Sequence, residues 1–501
     1  MLFIGVDLGT SAVKLLLVDG AGDIKRSVSE EYPIEFPRSG WSQQNPDDWW
    51  AAVLKGVPEL LRGFDAADVC AMGCGGQMHG LVVLDDHDEV IRPAILWNDG
   101  RTGKQVDYLN ETIGKERLVS LTANIAYAGF TAPKILWMRE NEPELFRRIR
   151  KIMLPKDFVN YRLTGSFVTD CSDASGTLLF DVRNRRWSEE MLRVCHVHAS
   201  QLPEIRESYD SIGTLAPSVA GKIGLPTGVV VCTGAGDNAA AAIGCGVIGD
   251  GRCNISLGTS GTIFLSSSRF SVLKGGELHS FAHADGGFSL MGCILSAASC
   301  NKWWTEQIIG SSDIASEQAG IDPDEAAEEQ TFFLPYLMGE RSPLNDSSAR
   351  AAFVGMSMAT GRPEMTRSIL EGVSFAFKDC LNIARDQGVS IESSMVCGGG
   401  AKSAVWLQML ANVLGITLLI PKTEQGPGYG GAMLGMVAFG MYSSVVECAE
   451  HLVAVRDEIK PHAVAQGRYE RRYEIWRHLY PGMKDIFTMM TGQKSDRAVE
   501  K

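Results

Sequence analysis

Two short segments carry most of the chemistry legible in this chain. Val6-Asp7-Leu8-Gly9-Thr10-Ser11-Ala12, near the start, is echoed by Ile255-Ser256-Leu257-Gly258-Thr259-Ser260-Gly261 near the midpoint. In each copy a glycine lets backbone amides approach an anion while two hydroxyls donate alongside, which suits phosphate oxygens. One such turn is as well explained by a plain hairpin; a facing pair favours phosphate. Asp7, at the end of the first apolar run, would sit beside those phosphates and suits Mg²⁺ held through its waters. The second copy has Ser256 there, so one metal site is expected, in the first half only. Lys14 either reaches a phosphate or points outward from its strand.

Gly234-Ala235-Gly236-Asp237-Asn238-Ala239 follows a strand-like run at 228–232 and opens an Ala-rich helix. The spacing fits the G-x-G-x-x-A dinucleotide template. Against it, Asp237 lies where a pyrophosphate would approach, and no acid ends a second strand about 20 residues on. A carboxylate at a helix N-terminus stays ionised, because the dipole and free amides favour its charge, so Asp237 is a candidate proton acceptor. The position also suits a simple N-cap, and local sequence leaves both readings open. No G-x-x-x-x-G-K-[ST] occurs, which excludes a Walker-type nucleotide site.

These groups need elements to hold them. Residues 2–7, 12–19 and 23–30 read as three strands of an antiparallel meander, rich in Val, Ile and Leu in the first two and joined by glycine turns. Asn45-Pro46-Asp47-Asp48 is a capping residue, a first-turn proline and two acids, which predicts a helix start. A strand at 69–74 leads into Gly75-Gly76-Gln77-Met78-His79-Gly80, and helices are expected over much of 103–165. The repeated turn implies two related domains facing one another, divided near Gly244 to Gly251.

At 501 residues the chain exceeds the size at which one core stops growing. Lys and Arg total 47 against 60 Asp and Glu, and the net charge of -13, with no dense basic run, argues against nucleic acid or an anionic membrane as partner. There is no basic leader and no run of about 18 uncharged apolar residues, so a cytoplasmic protein is expected. The 12 cysteines form no zinc-type spacing and are read as free thiols. His196/His198 and His279/His283 lack a neighbouring Cys or carboxylate that would complete a metal site.

Two longer segments resemble the signatures of the FGGY carbohydrate kinases. The first is Gly129-Phe130-Thr131-Ala132-Pro133-Lys134-Ile135-Leu136-Trp137-Met138-Arg139-Glu140-Asn141. The second runs from Ala351-Ala352-Phe353-Val354-Gly355-Met356 through Glu364-Met365 to Ser368-Ile369-Leu370-Glu371. Gln77 to Gly80, Leu96-Trp97-Asn98-Asp99-Gly100-Arg101 and Leu154-Pro155-Lys156-Asp157 look like the branch of that family that phosphorylates xylulose.

The resemblance implies an α/β chain of two ribonuclease H-like (actin-like ATPase) domains, 1–246 and 247–501, flanking a deep catalytic cleft. It implies ATP and Mg²⁺, a small-molecule sugar as substrate, and by analogy a homodimer. Asp237 resembles the catalytic base and Asp7 the acid that organises Mg²⁺, with Asp237 near the same ion. Gln77, Met78, His79, Asp237 and Asn238 would meet the sugar. Thr10, Ser11, Lys14, Gly258 and Thr259 would approach the phosphates, and Gly399, Gly400, Ala401 and Ser403 the adenosine. One departure is the run Gln425-Gly426-Pro427-Gly428-Tyr429-Gly430-Gly431-Ala432, with an aromatic and an extra glycine. It is expected to turn into a helix on the nucleotide side, away from the sugar. The alternatives are a kinase for another sugar or polyol (ribulose, gluconate, erythritol) and a non-catalytic nucleotide or sugar sensor.

Overall fold

The computed structural model describes residues 1–325, 330–423 and 426–491. The opening meander forms as expected: β1 (Leu2–Leu8), β2 (Ala12–Asp19) and β3 (Ile24–Glu31) pair antiparallel. β3 alternates half-buried and exposed residues, as an edge strand with one wet face should. Helix α1 (Pro46–Leu61) starts where the capping pattern placed it, with Asn45 accepting from the Asp47 amide, and buries Trp49, Val53, Val57 and Leu60. β4 (Val69–Gly76) then enters parallel to β1, which puts Gly75 beside Asp7.

After the short helices of 103–164, β5 (Ser211–Thr214) and β6 (Val230–Cys232) complete a sheet ordered β5-β6-β4-β1-β2-β3, with Ala235–Gly236 also pairing along β4. Helix α2 (Asp237–Gly244) follows directly from that pairing, and the chain turns through Gly246, Gly249 and Gly251, all at positive φ near +75°. The second sheet repeats the plan. β7 (Gly251–Leu257), β8 (Gly261–Ser267), β9 (His279–Ala282), β10 (Phe288–Ile294), β11 (Ile391–Cys397), β12 (Thr417–Pro421) and β13 (Val455–Ile459) are ordered β9-β10-β8-β7-β11-β12-β13.

In both sheets three antiparallel strands lie beside two parallel ones, with an antiparallel strand at the far edge that comes before the last parallel strand in the first half and after it in the second. Among the described residues the second sheet adds β9, and the first adds the short pairing of Ala235–Gly236 along β4. This is the ribonuclease H-like topology twice, and the two Gly-Thr-Ser turns occupy equivalent places, between β1 and β2 and between β7 and β8.

Helix α3 (Gly426–Phe439) crosses between the halves. Although its sequence follows the second sheet, Tyr429, Ala432, Met433, Leu434 and Met436 share a core cluster with Phe3, Leu16, Ala71 and Ala240 of the first. Its glycines explain the departure noted in the sequence. A Cβ on Gly5 would lie 1.8 Å from the Gly428 carbonyl oxygen, and one on Gly430 would lie 1.8 Å from that of Ala240. The helix backbone therefore rests directly on β1 and α2, which no larger residue permits. The segment was expected on the nucleotide side; instead it lies beside the carboxylate site, where a Cβ on Gly428 would come within 3.5 Å of the Asp7 Cβ. Gln425 lies outside the described residues.

Candidate active site

Asp7 is the last residue but one of β1, opposite Lys14 on β2, and Asp237 is the first residue of α2. Both carboxylates are partly open to solvent and sit close enough to repel one another. Burial first, and then the Asp237 charge, push the Asp7 carboxyl up to about 7, with Lys14 pulling the other way. Burial pushes Asp237 up to about 6, against the stabilising amide and side chain of Asn238, which donate to its Oδ1 at 2.7 and 2.9 Å. The cap of α2 is Gly236, so Asp237 is not its N-cap, and the only bonds its carboxylate accepts among the described residues come from Asn238.

Met78 and His79 lie against this helix start. Met78 is buried with its thioether over Gly236, where a Cβ would come within 3.0 Å. His79 holds φ of +69°, and its Nδ1 is 2.9 Å from the Gly176 carbonyl oxygen. Burial, then Lys134 and His279, hold its imidazole well below the usual range, so it is neutral. With Nδ1–H donating to Gly176, Nε2 is an acceptor. The left-handed turn is fixed from outside: the His79 carbonyl accepts from Thr131 Oγ1 at 3.1 Å and from Lys134 Nζ at 2.8 Å. Sequence reasoning gave these two residues no role, although they stood in the quoted signature.

Gln77 behaves differently from expectation. It is 2% exposed, and its amide donates to Gln44 Oε1 at 3.1 Å, so its side chain is turned inward toward Gln44. Gln44 in turn donates to the Thr10 carbonyl at 2.7 Å and also accepts from Trp49 Nε1 at 3.1 Å. The Gln77 side chain therefore supports the first turn through Gln44. Within that turn Gly9 N donates to the Ala12 carbonyl at 3.1 Å, Thr10 receives Trp97 Nε1 on its hydroxyl at 3.0 Å, and Ser11 is exposed at the tip.

The second turn opens on a cavity of about 850 Å³, within the range of small-molecule sites. Its wall brings together Gly258, Thr259, Gly399, Gly400 and Ser403, with Asn301, Lys302, Gln318 and Trp406 as additions the sequence did not single out. Gly398, at φ +93°, lets the loop touch Leu257, where a Cβ would approach within 2.8 Å. Ser403 caps the next helix through the Trp406 amide at 3.1 Å and donates to Gln318 Oε1. Ala401 does not line the cavity, because its methyl packs on the core of the second half. No lining residue precedes Leu257, so this wall belongs to the second half alone.

Beneath the first site lies a buried ion cluster. Lys156 Nζ is 2.7 Å from Asp157, 3.1 Å from Asp170 and 3.8 Å from Asp173, all essentially unexposed. Asp170 accepts from Ser172 Oγ, and Ser172 Oγ accepts from the Gly236 amide at 3.1 Å, tying the cluster to the start of α2.

Among the described residues no cluster of three or more His, Cys, Asp or Glu could hold a metal ion. A carboxylate pair fits Mg²⁺ all the same, since that ion takes one or two protein carboxylates and completes its shell with water and phosphate. Two hard oxygen donors that resist joint ionisation without a cation are the right chemistry for it.

No helix of the described residues is long and apolar enough to cross a membrane. The model of the FGGY family of carbohydrate kinases matches with its N-terminal domain over residues 2–244 and with its C-terminal domain over 253–439. A xylulose kinase of Escherichia coli is 38% identical over 481 residues, covering 96% of this chain and 98% of the relative. Among solved structures, a xyloylose kinase from Brucella ovis superposes with a TM-score of 0.92 at 35% identity, over 97% of this chain and 100% of the other. A gluconate kinase from Lactobacillus acidophilus does so at 0.90 and 25%, over 96% and 97%.

Proposed function

The chain belongs to the FGGY family of carbohydrate kinases, and from that premise we propose that it transfers the γ-phosphoryl of MgATP to the terminal hydroxyl of D-xylulose, giving D-xylulose 5-phosphate. As a carbohydrate kinase it is a phosphotransferase with an alcohol acceptor, and it uses ATP and a sugar. The choice of xylulose rests on the names of its full-length relatives.

The observation that carries the mechanism is Asp237: a carboxylate pushed up to about 6, half-open at a helix start, beside Asn238, Met78 and His79. A base with that value is mostly ionised at neutral pH and still basic enough to share a proton in the transition state. In this reading Asn238 orients the Asp237 carboxylate, His79 Nε2 accepts from a sugar hydroxyl, and Met78 closes the floor. Thr10, Ser11 and Lys14 meet the transferred phosphoryl, Gly258 and Thr259 the remaining phosphates, and Gly399, Gly400 and Ser403 the adenosine. Asp7 with Asp237 would hold Mg²⁺, which when bound neutralises charge on the phosphates. Because the cavity wall at Gly258 contains nothing from the first half, transfer requires the two halves, 1–246 with α3 packed on it and the rest of 247–501, to close and bring hydroxyl and phosphoryl into line. We place the enzyme in the cytoplasm, working as a homodimer.

The deciding experiment is a coupled ADP-release assay with D-xylulose, D-ribulose, L-ribulose, glycerol and gluconate side by side. Preference for another acceptor would overturn the xylulose reading, and the gluconate kinase of the same fold makes that comparison necessary. Asp237→Ala should retain fold and sugar affinity yet lose roughly 10³-fold in kcat; near-native turnover would remove Asp237 from the base role.

A further inference from the structure

Trp97 stands in none of the roles above, yet it makes a specific contact with the first phosphate turn. Its loop is clamped. Leu96 N donates to the Ser42 carbonyl at 3.1 Å, Gly100 N donates to that of Gly40 at 2.8 Å, and Asp99 forms an unexposed ion pair with Arg101 at 2.7 Å. Arg101 itself is held over the Trp41 ring at 4.0 Å and the Trp137 ring at 5.0 Å. On the other side Gly129 allows the Trp97 carbonyl an approach that a Cβ would block at 2.5 Å. The indole held by this frame is 41% exposed, and its Nε1 reaches the Thr10 hydroxyl oxygen at 3.0 Å.

An indole N–H donates and cannot accept. The Thr10 oxygen therefore receives a hydrogen bond from Trp97 and must send its own proton elsewhere. Among the described residues no protein atom accepts it, while the Thr10 carbonyl is already occupied by Gln44. We propose that Trp97 is a positioning residue whose indole N–H sets the Thr10 hydroxyl as a donor toward the phosphoryl group being transferred. The inference rests on the reading of Thr10 as a phosphate contact. A free threonine hydroxyl samples several rotor positions, and in some of them its lone pairs would face the phosphate oxygens; the indole removes those positions before ATP arrives.

The test is a double-mutant cycle in the full-length enzyme with Trp97→Phe, Thr10→Val and the pair, measured with MgATP and the preferred sugar. Trp97→Phe keeps a ring in place and deletes only the donor. It should lower kcat about 3- to 10-fold, the size of one net hydrogen bond, with the sugar KM within about twofold and the melting temperature unchanged. The double variant should be no slower than Thr10→Val alone. Native kcat in Trp97→Phe beside a slowed Thr10→Val would overturn the inference and leave the Thr10 assignment standing. Losses that multiply would do the same, as would a Trp97→Phe loss accompanied by a lower melting temperature and a raised sugar KM. Native kcat in Thr10→Val would overturn the phosphate reading of Thr10 and the inference with it.

Discussion

Replacing Lys156 by Met should show how strongly the buried cluster supports the first half. The lysine is unexposed, with carboxylate oxygens of Asp157, Asp170 and Asp173 at 2.7, 3.1 and 3.8 Å. Removing one partner of a buried pair costs about 3–5 kcal/mol, because the other charge stays buried and uncompensated. Here three acids share the lysine that is lost. A loss of 3–5 kcal/mol in a unit of about 250 residues lowers the melting temperature by roughly 6–20 °C.

The acids can escape part of this by binding protons, which makes the loss depend on pH. Burial already holds the Asp157 and Asp173 carboxyls above the usual range, Asp173 well above. A carboxyl with a raised folded pKa contributes stability below its unfolded value and loses it as pH rises toward the folded one. Each additional proton that the folded variant keeps, and the unfolded chain releases, steepens the decline by about 1.4 kcal/mol per pH unit. The gap between Lys156→Met and the parent should therefore widen from pH 5.5 to pH 7.5. Thermal melts followed by near-ultraviolet circular dichroism at both values test this. A shift under about 2 °C, or the same shift at both, would refute the picture of a dry, lysine-dependent cluster.

Sugar turnover should follow Asp237: kcat/KM falls about tenfold per unit as pH drops below about 6, because the base must be ionised and burial has raised its pKa; a flat profile from pH 7 to 5 would deny it that role. Asp7 lies at about 7 without a cation, so the Mg²⁺ concentration needed for half-maximal rate should rise as pH falls below 7, and chelation should abolish turnover. That dependence should vanish in Asp7→Asn, which is expected to retain its fold and bind Mg²⁺ weakly. Gly430→Val should disrupt the fold by more than about 3 kcal/mol, since even a Cβ there would meet the Ala240 oxygen at 1.8 Å; soluble, native-like protein would show that α3 can move off the first half.

Much of the architecture was already written in local pattern. The meander at 2–31, the capped start of α1 and the repeated Gly-Thr-Ser turn depend on strand propensity, capping chemistry and glycine geometry, all set by residues close together in the chain. For the same reason Asp7 and Asp237 could be picked out as candidates, the one near the end of a strand and the other opening a helix, whereas Met78 and His79 came from the family resemblance. The family signatures were equally visible as strings, though what Thr131 and Lys134 do was not.

What the sequence alone could not decide depends on contacts between distant segments. Only packing shows that Gln77 turns inward to Gln44, that Ala401 faces the core, and that α3 returns to the first half to lie against Asp7. Trp97 meets Thr10, and Lys156 gathers Asp170 and Asp173, across separations no periodicity encodes. The carboxylate values near 6 and 7 belong to the same class: a residue type fixes an ordinary pKa, and the burial and neighbouring charge that move it exist only once the chain has folded.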